Sequence, residues 1–288
     1  MSSSKKARNN EIDVIFSSSG ARAPCFIGSL KGILDKGYEI KRIAGTSGGA
    51  IVAAGYALGM TVEEMTDVAM DTPYPKFKDF SYKNLLSITN PSIYSGKELD
   101  EFYKRVFGEK TLKDFRIDCK ISVIKILDGE RTVIDRNSYP DLPVWQAVRM
   151  SSTIPFVFPY LKLEGSPITD GGLDVRTFSI FPDQERPIVS LRPRADRKKL
   201  ANILPDPSHR ILFLWNYIKI VIDYFLNSVD NQHVPQDEWE QTIMIPTHEL
   251  SSFNFEMNKK DILDLIRYGY EAVMSATILP DLGYKSQT

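Results

Sequence analysis

The sequence predicts an α/β fold with a partly parallel sheet, and three features predict it. The chain opens as strand, loop, helix, strand, turn, helix, the alternation from which parallel sheets are built. The run Gly45-Thr46-Ser47-Gly48-Gly49 sets a serine on a sharp turn, with a strand before it and a buried helix after it. Short strands return late in the chain, at 187–191 and 242–245, each followed by helical sequence.

In order along the chain, Ile12 to Phe16 is an apolar run of strand length. Ser17 to Ala23 is a loop of small residues. Pro24 to Asp35 is a helix with proline in its first turn, where a missing N–H costs little. Lys36-Gly37 stops that helix. Residues 40–44 form the second strand and 48–58 the helix beyond the serine. Thr61 caps a helix running to Met70. From Asp71 to Ser95 the chain is rich in Tyr, Phe, Pro and Lys and reads as irregular. Gly96-Lys97-Glu98 opens a helix to Phe107. Residues 121–127 and 131–135 flank Asp128-Gly129, a hairpin signal. A helix over 144–152 ends before Ile154-Pro155, and short strands at 161–163 and 167–169 bring Asp170 to a strand end. After strand 187–191 come a helix at 212–226, a polar stretch at 230–236, strand 242–245 and a helix at 260–278. No repeat and no linker interrupts the pattern. The expected organisation is a flexible N-terminal tail over 1–10 and a single domain over 11–288 with a helical C-terminal part.

Composition narrows the function. Hydrophobic residues make up 42% of 288, ample for a large core. Lys plus Arg total 36 against 37 Asp plus Glu, so the basic excess of a dedicated nucleic-acid binder is missing. Cys25 and Cys119 lie in apolar stretches and are expected as reduced core thiols; their number excludes a Cys-rich zinc site. The polar N-terminus has no apolar core of a secretory signal. No uninterrupted apolar run reaches the ~18 residues of a membrane span. A cytoplasmic protein is expected, either free or peripheral at membranes.

Chemistry centres on Ser47. Gly45 and Gly49 stand two places either side of it, as close strand–helix contact at a strained turn demands. A serine hydroxyl is a weak nucleophile until a base takes its proton. Two kinds of base are available. His209, His233 and His248 all follow Asp170, in the chain order of an α/β-hydrolase triad, but none lies in a tight small-residue turn. Asp170 itself, followed by Gly171-Gly172, can act directly if it lies within hydrogen-bond reach. Donors for a tetrahedral oxyanion are expected from the loop at Ser19, Gly20, Ala21 and Arg22, at the start of the first helix.

Taken together, these runs resemble the patatin-like phospholipases. The family pattern is a glycine-rich oxyanion loop with a basic residue, then Gly-x-Ser-x-Gly, then Asp-Gly-Gly or Asp-Gly-Ala. The counterparts here are Ser18 to Ala23, Gly45 to Gly49 and Asp170 to Gly172. The stretch Ser151-Ser152-Thr153-Ile154-Pro155-Phe156-Val157-Phe158-Pro159 is similar to the family's Ser-x-x-x-Pro-x-x-Phe-Pro run. The similarity covers roughly residues 12–192. It implies a three-layer α/β/α sandwich with a mainly parallel sheet, a Ser47–Asp170 dyad without histidine, lipid acyl hydrolysis, and neither cofactor nor metal. One departure stands out. Where the family has successive glycines and another after the basic residue, this chain has Ser18, Ser19 and Ala23, which would be strained if those positions require positive φ. A second follows Asp170, where Arg176-Thr177 replaces the Asn-x-Pro run often seen in the family.

The expected partner is a phospholipid or other acyl-ester lipid. Two segments are candidates for a membrane surface: the aromatic, lysine-dotted loop 74–94, and the apolar helix 211–226, which is too short and interrupted to span. Two alternatives to the dyad hydrolase remain: a weakened lipid-binding or regulatory module on the same fold, and a histidine-dependent esterase. Acyl transfer to another acceptor would use the same motifs.

Overall fold

The computed structural model describes residues 10–173, 178–183, 185–195, 217, 236–252 and 254–279. Strand β1 (Glu11–Phe16) leads through a short loop to helix α1 (Pro24–Asp35). Strand β2 (Glu39–Thr46) then runs directly into α2 (Gly48–Leu58). After α3 (Val62–Met70), the one-turn α4 (Tyr82–Leu85) and α5 (Lys97–Phe107) come strands β3 (Asp118–Lys125) and β4 (Glu130–Ile134). Helix α6 (Val144–Ser151), the hairpin β5 (Leu161–Leu163) and β6 (Ser166–Asp170), and strand β7 (Ile188–Ala195) follow. The chain closes with α7 (Gln236–Glu240), β8 (Thr242–His248) and α8 (Lys259–Ser275).

The strands form one eight-stranded sheet in the order β5-β6-β3-β2-β1-β7-β8, with β4 also on β3. Neighbours from β3 through β8 are parallel, and β4, β5 and β6 join antiparallel. The architecture is the three-layer α/β/α class with a mainly parallel sheet. Alternation along β1 shows why. Ile12, Val14 and Phe16 enter the main core, where Phe16 stacks on Phe26 of α1 at 4.8 Å. Ile15 points to the other face, with Ala44, Ile188 and the Phe178–Phe181 turn. Removing the Phe16 ring would cost roughly 3–5 kcal/mol.

The register around β3 positions the functional site. Residues 121–125 of β3 pair with β4 along their whole length. Each edge of a strand bonds only one neighbour at a given residue, so β2 and β6 must share the opposite edge. There β2 ends with Thr46 beside Ser122, and β6, running the other way, ends with Asp170 beside Val123. The two strands therefore meet end to end.

The segment 71–95, expected to be irregular, contains a 3-10 turn at Tyr74–Phe77 and α4, which Ser81 caps by accepting from Asn84 N–H at 3.2 Å. The last helix ends at Ser275 rather than 278. The helix expected at 211–226 lies outside the described residues except for Tyr217, which is exposed. Arg176-Thr177 and the tail over 1–9 also lie outside them. No described helix is long and apolar enough to cross a membrane.

Candidate active site

Ser47 occupies the single residue between β2 and α2, with φ 54 and ψ −125. Positive φ in a non-glycine residue is a strained state, costing of order 1–3 kcal/mol, and such states gather at functional sites. The turn is this sharp because its glycines leave room for it. A Cβ on Gly49 would lie 2.5 Å from the carbonyl oxygens of Phe16 and Ser17, and one on Gly45 would lie 2.5 Å from the Gly49 oxygen. Ser47 thus stands immediately before the N-terminus of α2, whose dipole favours negative charge on its hydroxyl or on an attached oxyanion.

Asp170 is 1% exposed at the end of β6. Its Oδ1 accepts from Gly172 N–H at 2.7 Å, and its Oδ2 is buried with no hydrogen bond of ordinary geometry. Burial raises its pKa to about 6, against the opposing pull of the neighbouring Ser47 hydroxyl and the Gly172 N–H. Gly171 lies so close to Ser122 that a Cβ would sit 2.4 Å from its carbonyl oxygen.

The end of α6 and the residues just after it tie these two groups together, a role the sequence did not disclose. Ser47 N–H donates to Ser151 Oγ at 2.9 Å, and Ser151 in turn donates to Ser122 O at 2.7 Å. Asp170 N–H and Thr169 Oγ1 both donate to Thr153 O at 2.9 Å. Buried Arg149 holds Thr153 Oγ1 at 2.7 Å while bound to Asp100 at 2.7 Å. The signal was the 151–159 stretch itself, but its work depends on partners distant in sequence.

The loop at 19–22 abuts the turn. A Cβ on Gly48 would meet Gly20 O at 2.5 Å, and one on Gly172 would meet Ser18 Oγ at 2.6 Å, so loop, serine turn and Asp-Gly-Gly converge. Two of the four expected donor residues spend their N–H groups inside the protein: Ala21 N–H on Ser252 O at 2.9 Å and Arg22 N–H on Ser19 O at 3.2 Å. The Arg22 side chain, 2% exposed, fastens the loop by donating to Ser252 Oγ at 2.7 Å and Ser19 O at 3.1 Å. It is a brace rather than a charge aimed at substrate. The strain expected from the missing glycines is absent. Ser19 has φ −135 and Ala23 φ −45, and positive φ falls on Gly20, at 56.

Ser47, Gly48 and Gly20 are among the residues that line a pocket holding about 870 Å3 of space, part of it open to solvent. Beyond them the walls are mostly apolar, including Ile51, Met65, Leu99 and Phe102, with the Tyr103 and Ser152 hydroxyls paired at 3.1 Å. Of the histidines, His248 ends β8 with its ring 4.8 Å from Tyr268 and is absent from the pocket lining. His209 and His233 lie outside the described residues. Cys25 and Cys119 are free and buried, and burial pushes Cys25 up to about 12.

Comparison with known proteins points the same way. A family profile described as Patatin-like phospholipase matches residues 14–177. An uncharacterized protein of Bacillus subtilis, YqhO, is 27% identical over 286 residues, covering 90% of this chain and 95% of its own. Neuropathy target esterase sws of Drosophila grimshawi is 28% identical over 167 residues, 57% of this chain but 11% of that protein. Lysophospholipase nte1 of Emericella nidulans is 25% identical over 169 residues, 56% of this chain and 10% of its own. The chain therefore spans only about a tenth of those two relatives. The crystal structure of VipD from Legionella pneumophila superposes with a TM-score of 0.54 at 13% identity, over 94% of this chain and 67% of that one, which shows a common fold.

Proposed function

The chain belongs to the patatin-like phospholipase family, and within it we propose a serine hydrolase of fatty-acyl lipid esters that works through a Ser47–Asp170 dyad. The observation that carries this reading is the meeting of a strained serine with a buried carboxyl whose pKa is raised to about 6. A carboxyl so raised is ionised at pH 7 yet basic enough to share the serine proton.

Ser47 Oγ attacks the ester carbonyl as its proton passes to Asp170. The alkoxide of the lipid leaves with that proton, and an acyl group remains on Ser47. Water then attacks the acyl-enzyme, giving its proton to Asp170, which passes it to Ser47 Oγ as the acyl–oxygen bond breaks and the fatty acid departs. Gly48 N–H, at the start of α2, and Gly20 N–H are the natural donors to the tetrahedral oxygen, because neither spends its proton on the described residues. The apolar pocket receives the acyl chain, and the relatives named esterase and lysophospholipase support a lipid ester as substrate.

The Ser47→Ala protein should remain folded and lose ester hydrolysis by more than about 10³-fold, and it should lose labelling by a fluorophosphonate. Mass spectrometry of products from mixed phospholipids and lysophospholipids reads both head group and acyl position. Undiminished hydrolysis by Ser47→Ala ends the proposal.

A further inference from the structure

The segment from Tyr74 to Tyr94 carries a contradiction. Its two ends are buried, Tyr74 and Phe77 in the pocket wall and Ile93 and Tyr94 in the core. Its middle holds four large apolar side chains in water: Phe80 is 50% exposed, Tyr82 74%, Leu86 79% and Ile88 97%. A fifth, Phe156, is 52% exposed and lies against the end of this segment, where its carbonyl accepts from Ile93 N–H at 2.9 Å. Phe156 also has φ 64, a conformation a bulky side chain rarely adopts. Single exposed apolar side chains need no explanation, but several in one short segment whose ends line the pocket and enter the core do.

The group is held rigidly. Asn90 donates to Tyr160 O at 3.1 Å and accepts from Tyr160 N–H at 2.9 Å, and Tyr160 Oη donates to Thr89 O at 2.8 Å. Within the segment, Ser81 N–H donates to Ile93 O at 3.0 Å, and Asn84 holds Ser92 Oγ at 3.1 Å. The charges around it have one net sign. Lys76 and Lys83 are exposed and have no ion-pair partner among the described residues, while Lys78 pairs with Glu256. The one acid of the segment, Asp79, is occupied by the Ser95 hydroxyl and the N–H groups of Gly96 and Glu98.

We propose that Phe80, Tyr82, Leu86, Ile88 and Phe156, flanked by Lys76 and Lys83, form a docking surface for a bilayer bearing anionic headgroups. Exposed apolar and aromatic side chains enter the headgroup boundary while lysines meet the anionic surface. Tyr74 and Phe77 of the same segment line the pocket, so docking here would bring the pocket close to the acyl chains of the bilayer. That last step rests on the hydrolase reading; the docking does not.

The test separates the two. Binding of the Ser47→Ala protein is measured by co-sedimentation with vesicles of phosphatidylcholine alone and of equimolar phosphatidylcholine and phosphatidylglycerol. Docking predicts tighter binding to the anionic vesicles. Adding Tyr82→Ser, Leu86→Ser and Ile88→Ser should weaken that binding at least about tenfold. Lys76→Gln and Lys83→Gln should each weaken it roughly fivefold, and only on the anionic vesicles. On the Ser47 background the triple substitution should leave thermal unfolding and turnover of a soluble short-chain ester within about twofold, since none of the three lines the pocket. Vesicle binding indifferent to the triple substitution overturns the docking surface. So does self-association that the substitution abolishes in the absence of any vesicle binding. Hydrolysis that survives Ser47→Ala would remove the Ser47–Asp170 reading and leave the docking result standing.

Discussion

Two aspartates of this chain are equally buried and oppositely surrounded. Asp13 is 0% exposed and Asp170 1%. Asp13, on β1, receives Arg42 Nε at 2.8 Å and Nη2 at 2.6 Å, and Arg186 Nε at 3.1 Å. Arg42 is itself held by Asp183 at 2.7 Å and lies 4.7 Å from the Phe181 ring. Among the described residues Asp170 has no cation beside it, only a glycine N–H and a serine hydroxyl. Burial alone therefore decides nothing about a carboxyl. Paired with arginines, Asp13 ties β1 to Arg42 of β2 and to Arg186 and serves the fold. Asp170, raised by burial, is the group proposed above as base, and its ionisation weakens the fold that carries it.

The largest test of this contrast is Asp170→Asn. Turnover should fall by about 10³-fold or more, because the amide cannot accept the serine proton. Stability should rise at neutral pH. The folded pKa, about 6, lies above the ordinary 3.8, so the carboxyl's contribution is fully favourable below 3.8 and is lost as pH rises through 6. Removing that ionisation should return up to about 3 kcal/mol, read by urea unfolding at pH 7.5 against pH 4. A destabilised Asp170→Asn would mean that the residue serves structure as Asp13 does.

Asp13→Asn should do the reverse. It leaves two arginines facing a neutral group and should cost about 3–5 kcal/mol of stability, with turnover per folded molecule unchanged. Lost activity in protein that remains folded would show that the network reaches the site.

Ser151→Ala should have a smaller effect. It releases Ser47 N–H and Ser122 O and should lower kcat roughly tenfold with KM nearly constant, since the serine is misplaced and the acyl pocket is untouched. A change confined to KM would argue against a positioning role. Smallest is the pH profile: kcat/KM should be halved near pH 6 and fall tenfold per unit below it as Asp170 takes a proton.

Much of this was legible in the chain. Glycines at 45 and 49 announce a turn in which strand and helix nearly touch, and residues 12–16 and 40–44 announce strands, because both signals are local. Asp170 was found because Asp-Gly-Gly followed a short strand. The oxyanion loop was read only in part. Its residues are where the sequence places them, but Ala21 N–H and Arg22 are committed to Ser252, far along the chain and carrying no mark of its own. The 71–95 stretch read as irregular because its order comes from contacts such as Asn90 with Tyr160 rather than from any periodic pattern.

The amino-acid sequence alone determined the class of fold, the sharp turn at Ser47 and the placing of Asp170 at a strand end, since backbone sterics and hydrophobic period act over a few neighbouring residues. Tertiary structure alone decided that β2 and β6 meet on one edge of β3, that Ser151 and Thr153 hold the backbones of Ser47 and Asp170, and that Asp170 finds no cation among the described residues where Asp13 finds two. Proximity and solvation depend on which distant segments share an edge, and no local pattern encodes that.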